Sequence, residues 1–158
     1  MISSDVIRII STPLGTMVAT TNGEAITALD FVNNTMHIEN SNHPLLLQLE
    51  NELLEYFAGQ RTIFTLPLNP SGTPFQKSVW QTLCTIAYGE TISYANEAKL
   101  LGNPKAVRAV ANANGRNPIS ILIPCHRVIA TGGRLGGYSG GIEKKEFLLA
   151  LEKKRVIL

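Results

Sequence analysis

The chain has 158 residues, 44% of them hydrophobic and 16% charged, which is typical of a globular protein and excludes a disordered or fibrous one. No segment offers the roughly 20 consecutive apolar residues of a membrane span, and residues 1–5 lack the basic start of a secretory signal, so we expect a cytoplasmic protein. Both cysteines, Cys84 and Cys125, are expected to be reduced.

The net charge of +2 is distributed unevenly along the chain. Residues 1–70 contain two basic and seven acidic residues, a net charge of −5, whereas residues 71–158 contain twelve basic and five acidic residues, a net charge of +7. We predict two domains with these bounds, and a polyanion such as nucleic acid as the partner of the second. An ordinary basic surface is an equally good interpretation of the charge alone.

The first domain is predicted to contain a small sheet. Residues 6–10, 16–20 and 25–29 have the composition of short strands. Asn22-Gly23 predicts a hairpin turn, because both residues tolerate positive φ.

A helix is predicted from Pro44 to Gly59. Its apolar face is predicted to carry Leu45, Leu49, Leu53 and Tyr56. His37 and His43 have no cysteine nearby, so we interpret them as solvated side chains and not as zinc ligands.

The second domain is predicted to begin with a linker and a capped helix. The linker comprises Pro67, Pro70, Ser71 and Gly72. Thr73 and Gln76 have the spacing of a capping box, which predicts a helix start. Phe75, Val79 and Leu83 form its predicted buried stripe, and Trp80 and Cys84 are expected to pack in the same helix without a catalytic role.

Two short helices with a tight turn follow, which favours a helix-turn-helix unit. The first is predicted at 94–101, capped by Ser93 and ended by Gly102, and the second runs from Asn103-Pro104 to about Ala113. A generic corner of two helices is an equally good interpretation of this segment alone.

The second of these helices is predicted to have two distinct faces. The packing face carries Ala106, Val107, Val110 and Ala111, and the polar face carries Lys105, Arg108 and Asn112. Small outward residues, Ala109 and Ala113, would let this helix approach a nucleic-acid groove closely.

Residues 119–123 are apolar and β-branched, which predicts a buried strand or extended segment that ends at Pro124-Cys125-His126-Arg127-Val128. A histidine supplies a proton acceptor for the Cys125 thiol, and a neighbouring arginine favours the thiolate. Adjacent Cys and His residues are more often structural, so the pair alone does not establish a nucleophile.

The glycine-rich run 132–141 lacks the Lys-Ser/Thr ending of a nucleotide-triphosphate loop. It either brings backbone N–H groups close to a flat ligand, with Tyr138 as a wall, or forms a flexible hairpin. The last helix is predicted at about 142–154, with Phe147, Leu148 and Leu151 buried and Glu152 available as a partner for a histidine.

The segment 124–128 resembles the active-site signature of the O6-alkylguanine-DNA alkyltransferases. Residues 89–94, 102–110, 117–118 and 138–141 resemble the other sequence blocks of that family in the same order and spacing. The resemblance implies an α+β fold, in which a small antiparallel sheet plus helix precedes a mainly helical domain with the helix-turn-helix and the active-site segment.

The resemblance implies a DNA repair protein that moves an alkyl group from O6-alkylguanine, and from O4-alkylthymine, irreversibly to its own cysteine in a single turnover without a cofactor or a metal. Cys125 would be the acceptor, His126 would take its proton through a water, and Glu152 would orient His126. Asn117 would link the recognition helix to the active-site segment, and Tyr94 would donate a hydrogen bond to the leaving guanine.

The same resemblance implies how the substrate would be held. Val128, Tyr138 and Ser139 would bind the base. Arg108 would fill the gap left by a flipped nucleotide, with Lys105, Ala109 and Asn112 beside it in the minor groove of double-stranded DNA. We expect a monomer, and the sequence is compatible both with independent and with cooperative binding of monomers to DNA.

Two other classes of protein remain as alternatives. A cysteine hydrolase would use Cys125 and His126 with turnover, but the sequence offers no evident oxyanion arrangement for it. A non-catalytic module that only recognises alkylated bases would need no reactive cysteine.

Overall fold

A computed structural model describes residues 5–33, 38–138 and 140–156 of the chain. The chain divides into two compact units, Met1–Ser71 and Gly72–Leu158. The predicted α+β class is confirmed, since an antiparallel sheet and a helix form the first unit and mainly helices form the second. No helix within the described ranges is long and apolar enough to cross a membrane.

The first unit contains a three-stranded antiparallel sheet in the order β1-β2-β3. The strands are β1 (Val6–Thr12), β2 (Gly15–Thr21) and β3 (Ile26–Phe31). The turn predicted at Asn22-Gly23 is present, with Asn22 N donating to Ala25 O at 3.3 Å and Gly23 at a φ of +96°. The side-chain oxygen of Asn22 accepts hydrogen bonds from Glu24 N and Ala25 N, which explains why asparagine suits this turn.

Helix α1 (Pro44–Phe57) packs on the sheet of this unit. Its buried face carries Leu46, Leu49, Glu52, Leu53 and Tyr56, so the prediction of Leu45 as a core residue is wrong by one position. The interpretation of His43 as a solvated side chain is also wrong, because its Nδ1 accepts from Leu45 N at 3.1 Å and caps the helix. His37 lies outside the described residues.

The predicted linker is shorter than the sequence indicated. Ile26 N donates to Pro67 O, and Asn69 N donates to Ile26 O, both at 2.9 Å. Pro67 therefore belongs to the edge of the first unit's sheet, where a proline is tolerated because only its carbonyl is needed.

The second unit opens with α2 (Pro74–Leu83), whose predicted capping box is present in both directions. Trp80 is buried in this unit, and its Nε1 donates to Ala113 O at 2.9 Å. Phe75 is only half-buried, and Cys84 is exposed at the end of the helix. The prediction that Cys84 packs in the helix is therefore wrong.

The helix-turn-helix pair is α3 (Tyr94–Leu100), capped by Ser93, and α4 (Val107–Gly115). The second helix begins at Val107 and not at Asn103-Pro104, because residues 103–106 form a turn closed by Ala106 N donating to Asn103 O at 3.0 Å. Asparagine at the first position and proline at the second favour such a turn over a helix start. Lys105 consequently lies in the turn, off the helix on which it was predicted.

Residues 119–123 are buried as predicted, but they form successive turns and not a strand or extended segment. Asn117 Oδ1 accepts from Ile119 N at 2.9 Å, and Ile123 N donates to Ile119 O at 3.0 Å. Ile121, which is buried, adopts a φ of +73°, an unfavourable conformation for a β-branched residue. These turns position the next residues, a 3₁₀ turn at Cys125–Arg127.

A two-residue parallel ladder joins the active-site segment to the helix-turn-helix pair. Strand β4 (Ile92–Ser93) pairs with β5 (Val128–Ile129) directly after the 3₁₀ turn. The last helix, α5 (Ile142–Val156), buries Lys145, Leu148 and Glu152. The prediction of Leu148 as a buried residue is confirmed, whereas Phe147 is 40% exposed and Leu151 only half-buried, so the prediction is wrong for these two residues.

Candidate active site

Cys125 lies in the wall of a pocket in the second unit with a volume of about 330 Å³. The helix-turn-helix pair and the glycine-rich segment supply the rest of the wall. The lining residues are Tyr94, Ala111, Asn114, Gly115, Cys125, Gly137 and Tyr138. A thiol in such a position can meet a small flat ligand without being open to bulk water.

Asn117 makes a hydrogen bond to the Cys125 thiol. Its Nδ2 donates to Ile123 O at 2.7 Å and to Cys125 Sγ at 3.3 Å, and its Oδ1 accepts from Ile119 N. The Asn117 side-chain amide thus stabilises the turns at residues 119–123 and also donates a hydrogen bond to the Cys125 sulfur. Burial raises the pKa of the Cys125 thiol, and the Asn117 hydrogen bond and the charge of Lys145 oppose that rise.

His126 and Glu152 form a direct buried contact. His126 is 0% exposed and Glu152 1%, and Nε2 of His126 lies 2.7 Å from Oε2 of Glu152. The other ring nitrogen, Nδ1, is buried and makes no hydrogen bond to any group in the described ranges. The structure therefore brings together the histidine and the carboxylate that the sequence paired.

The charges of this cluster are set by Arg127. Its Nε and Nη2 donate to the two Glu152 oxygens at 2.8 and 3.0 Å, and its Nη1 donates to Ile86 O at 2.7 Å. Burial alone would raise the pKa of Glu152, but the hydrogen bonds from His126 and Arg127, together with the charge of Arg127, outweigh it and lower the pKa to about 2. The carboxylate is ionised at neutral pH.

His126 is neutral at the same pH. Burial lowers its pKa, and this outweighs the contrary effect of Glu152. A neutral imidazole that donates from Nε2 to a carboxylate keeps its lone pair on Nδ1. Nδ1 is therefore the basic atom of the site.

The cation that acts on the thiol is Lys145, which the sequence reasoning missed. Its Nζ donates to Val128 O at 2.6 Å and to Gly137 O at 3.1 Å, and lies 5.8 Å from the Tyr94 ring centroid. Arg127 was expected to favour the thiolate, but its guanidinium instead donates hydrogen bonds to both carboxylate oxygens of Glu152. The only signal for Lys145 is its spacing, three residues before Leu148 and seven before Glu152 on the buried face.

Tyr94 lines the pocket close to the glycine-rich segment. A Cβ on Gly136 would lie 2.9 Å from the Tyr94 hydroxyl, and Gly136 has a φ of +72°, so glycine is required there. Burial raises the pKa of Tyr94, with the nearby Cys125 and Glu97 adding to the rise, so its hydroxyl keeps its proton.

The three residues predicted to bind the base have different positions. Tyr138 is half-buried in the pocket wall. Val128 is fully buried outside that wall, and its carbonyl accepts from Lys145. Ser139 lies outside the described residues.

The residues predicted to contact DNA are all exposed, namely Lys105, Arg108, Ala109 and Asn112. The assignment of two alanines of α4 is reversed: Ala111, predicted to pack, is exposed and lines the pocket, and Ala113, predicted to face outward, is buried. The exposed side of α4 consequently adjoins the pocket that holds Cys125.

A buried cysteine in a pocket wall, a histidine–carboxylate pair and an adjoining helix-turn-helix unit are the features of a DNA-binding protein with a cysteine nucleophile. Family models for 6-O-methylguanine DNA methyltransferase match residues 6–70, as its ribonuclease-like domain, and residues 74–154, as its DNA binding domain. The chain belongs to the 6-O-methylguanine DNA methyltransferase family, a family of DNA repair proteins, and the resemblance of its sequence motifs is confirmed.

Similar proteins match over nearly the whole chain. The methylated-DNA--protein-cysteine methyltransferase of Methanosarcina barkeri is 44% identical, with 94% of this chain and 97% of that protein covered. The constitutive enzyme of that name from Bacillus subtilis is 46% identical, with 90% and 92% covered. The crystal structure of Mycobacterium tuberculosis OGT in complex with DNA has a TM-score of 0.87 at 44% identity, with 94% and 93% covered.

We predict that Glu152→Gln lowers the free energy of unfolding at pH 7 by about 3–5 kcal/mol, because it leaves the buried Arg127 without a counter-charge. The pKa of Glu152 is depressed, so its stabilisation is complete above the ordinary value of 4.5 and is lost as pH falls toward about 2. Urea unfolding between pH 7 and pH 2 measures both effects.

Glu146→Gln is the matched control, since Glu146 is exposed on the same helix. It should change stability by no more than about 0.5 kcal/mol. Equal stability of Glu152→Gln and the control at pH 7 would contradict this reading of the cluster.

Proposed function

We propose that this chain repairs duplex DNA by moving one alkyl group from O6 of guanine, and from O4 of thymine, to Sγ of Cys125. The observation that carries the proposal is the position of Cys125, in a pocket wall that the exposed side of α4 adjoins, with a donor from Asn117 on its sulfur. Membership of the family supports this reaction, and the positions of the described residues support the roles proposed for them below.

The first step is removal of the thiol proton. Nδ1 of His126 is the unpartnered basic atom of the cluster, and a water between it and Sγ would carry the proton. Glu152 holds the ring by Nε2 and stabilises the imidazolium that results. Lys145 and Asn117 stabilise the thiolate.

The second step is displacement at the saturated alkyl carbon. Sγ forms a bond to that carbon as the bond from carbon to the O6 oxygen breaks, and the electron pair of that bond leaves with the base. Tyr94, whose hydroxyl keeps its proton, donates a hydrogen bond to the base and so makes it a better leaving group. The product is a thioether, which water does not hydrolyse, so each molecule reacts once.

The base would be held by the groups that line the pocket. Tyr138, in the pocket wall beside Cys125, would pack against its face. On the family resemblance alone, the backbone around Cys125, Val128 and Ser139 would bind its edge. A base in a duplex is stacked and cannot present O6 to a buried sulfur, so the nucleotide must be flipped out.

Helix α4 is the proposed DNA-contacting element, lying in the minor groove. Arg108 would occupy the space that the flipped nucleotide leaves, and Lys105, Ala109 and Asn112 would lie beside it against the groove. The solved DNA complex of the Mycobacterium tuberculosis protein supports a DNA partner for a chain of this fold. We further propose that one monomer acts at each lesion, in the cytoplasm, whose reducing conditions keep the thiol free.

A test of the acceptor uses duplex DNA with a radiolabelled O6-methylguanine. We expect the wild type to take up one label per molecule at most and Cys125→Ala to take up none, because Cys125 is the only sulfur-containing residue among the described residues of the pocket wall. Cys84→Ala is the matched control and should behave as the wild type, since Cys84 is exposed at the end of α2. Label uptake by Cys125→Ala, or repeated turnover by the wild type, would contradict the proposal.

A second test concerns the DNA-contacting helix. Arg108→Ala should slow transfer by about tenfold or more, because base flipping costs a few kcal/mol that the inserted side chain offsets. Lys77→Ala, which removes an exposed cation from α2, is the control and should leave the rate nearly unchanged. Single-turnover kinetics with a methylated duplex decide the matter, and equal rates for the two variants would refute the assignment of Arg108.

A further inference from the structure

Glu97 and Asn114 form a buried polar pair between the two helices of the helix-turn-helix unit. Glu97 on α3 is 0% exposed and Asn114 on α4 is 6% exposed. Asn114 Nδ2 donates to Glu97 Oε1 at 2.7 Å, and Asn114 also lines the pocket that holds Cys125. The proposed mechanism gives neither residue a role.

Each member of this pair has one buried oxygen that makes no hydrogen bond to any described residue, Oε2 of Glu97 and Oδ1 of Asn114. Two unsatisfied acceptors in one buried pair are costly, since each forfeits its bonds to water. A single proton on Glu97 Oε2 removes both costs, because the acid then donates to Asn114 Oδ1 while Asn114 Nδ2 donates back to Oε1.

We propose that below neutral pH Glu97 is a neutral carboxylic acid joined to Asn114 by two reciprocal hydrogen bonds, and that this pair positions the pocket wall and keeps a negative charge away from Cys125. Glu97 is thus a positioning residue for the proposed alkyl transfer, on which this role rests.

The surroundings of Glu97 favour the acid form. Burial raises its pKa to about 7, against a smaller contrary effect of Asn114. No lysine or arginine in the described ranges makes an ion pair with it.

The ionisable groups on the elements packed against α3 do not favour the ionised form of Glu97. Helix α4 carries Arg108 and helix α2 carries Lys77, both exposed, as is Lys99 on α3 itself, while β4 and β5 carry none. Ionisation of Glu97 would act on Tyr94 and Cys125, raising the pKa of each.

Because an ionised Glu97 raises the pKa of Cys125, its protonation state affects the reactivity of the thiol. A carboxylate at Glu97 opposes formation of the Cys125 thiolate and of the departing base anion, since all three are negative charges near one pocket. A proton shared with Asn114 removes this opposition without a cation. It also fixes the Asn114 amide, which forms part of the wall that meets the base.

Glu97→Gln tests the inference, because glutamine copies the neutral acid: its Nε2 donates where Oε2–H did. We expect this variant to match the wild-type transfer rate at pH 6 and to exceed it several-fold at pH 8.5, where Glu97 is ionised. Its melting temperature should also exceed that of the wild type at pH 8.5, since a raised carboxyl pKa gives stability that is lost as pH rises from 4.5 through about 7. Asn114→Leu, which leaves the acid without its partner, should lose stability at both pH values.

The protonation of Glu97 is read directly by the ¹³C shift of its side-chain carboxyl in the wild type, titrated from pH 5 to pH 9, with exposed Glu146 as the internal control. A Glu97 carboxyl already ionised at pH 6, or a Glu97→Gln variant that loses stability and transfer at pH 6, would overturn the inference. Absence of transfer in the wild type would refute the proposed function instead, and the ¹³C titration would still decide the state of Glu97.

Discussion

The second unit is organised around one buried carboxylate, that of Glu152. It receives hydrogen bonds from His126, from two nitrogens of Arg127 and from Gly89 N, so the last helix, the 3₁₀ turn and the loop before β4 meet at a single charge. A buried carboxylate is tolerated only when such partners replace its water. The same contact fixes the His126 tautomer, so the interaction that holds the turn in place also makes Nδ1 the basic atom.

The acceptor thiol illustrates the compromise that burial imposes. Burial protects Sγ and places it in the pocket wall, but it raises the pKa of the thiol and so disfavours the reactive anion. Asn117 and Lys145 oppose this with a hydrogen bond and a positive charge, and a neutral Glu97 would avoid adding a negative one. Lys145 is itself buried, and the carbonyls of Val128 and Gly137 and the Tyr94 ring take the place of its water.

Local chemistry made much of the fold readable from sequence. The Thr73 capping box, the turn at Asn22-Gly23 and the Ser93 cap depend on neighbouring residues and are present as predicted. The errors arise where tertiary contacts outweigh local pattern. Residues 119–123 have the composition of a strand, but Asn117 holds them in turns, and α5 buries Lys145 in place of the predicted Phe147 and Leu151. Adjacency in the motif identified Cys125 and His126, whereas the burial of Lys145 is signalled only by its helical spacing to Leu148 and Glu152, and the burial of Glu97 was not predicted.

The account depends most directly on the protonation of the His126 ring, which ¹⁵N shifts report. At pH 7 they should show a neutral imidazole with the proton on Nε2 and a bare Nδ1, because Glu152 accepts from Nε2 and burial disfavours the imidazolium. The Glu152→Gln variant should lose this fixed tautomer. A ring protonated on both nitrogens at pH 7, or a proton on Nδ1 in the wild type, would contradict the proposed activation of Cys125.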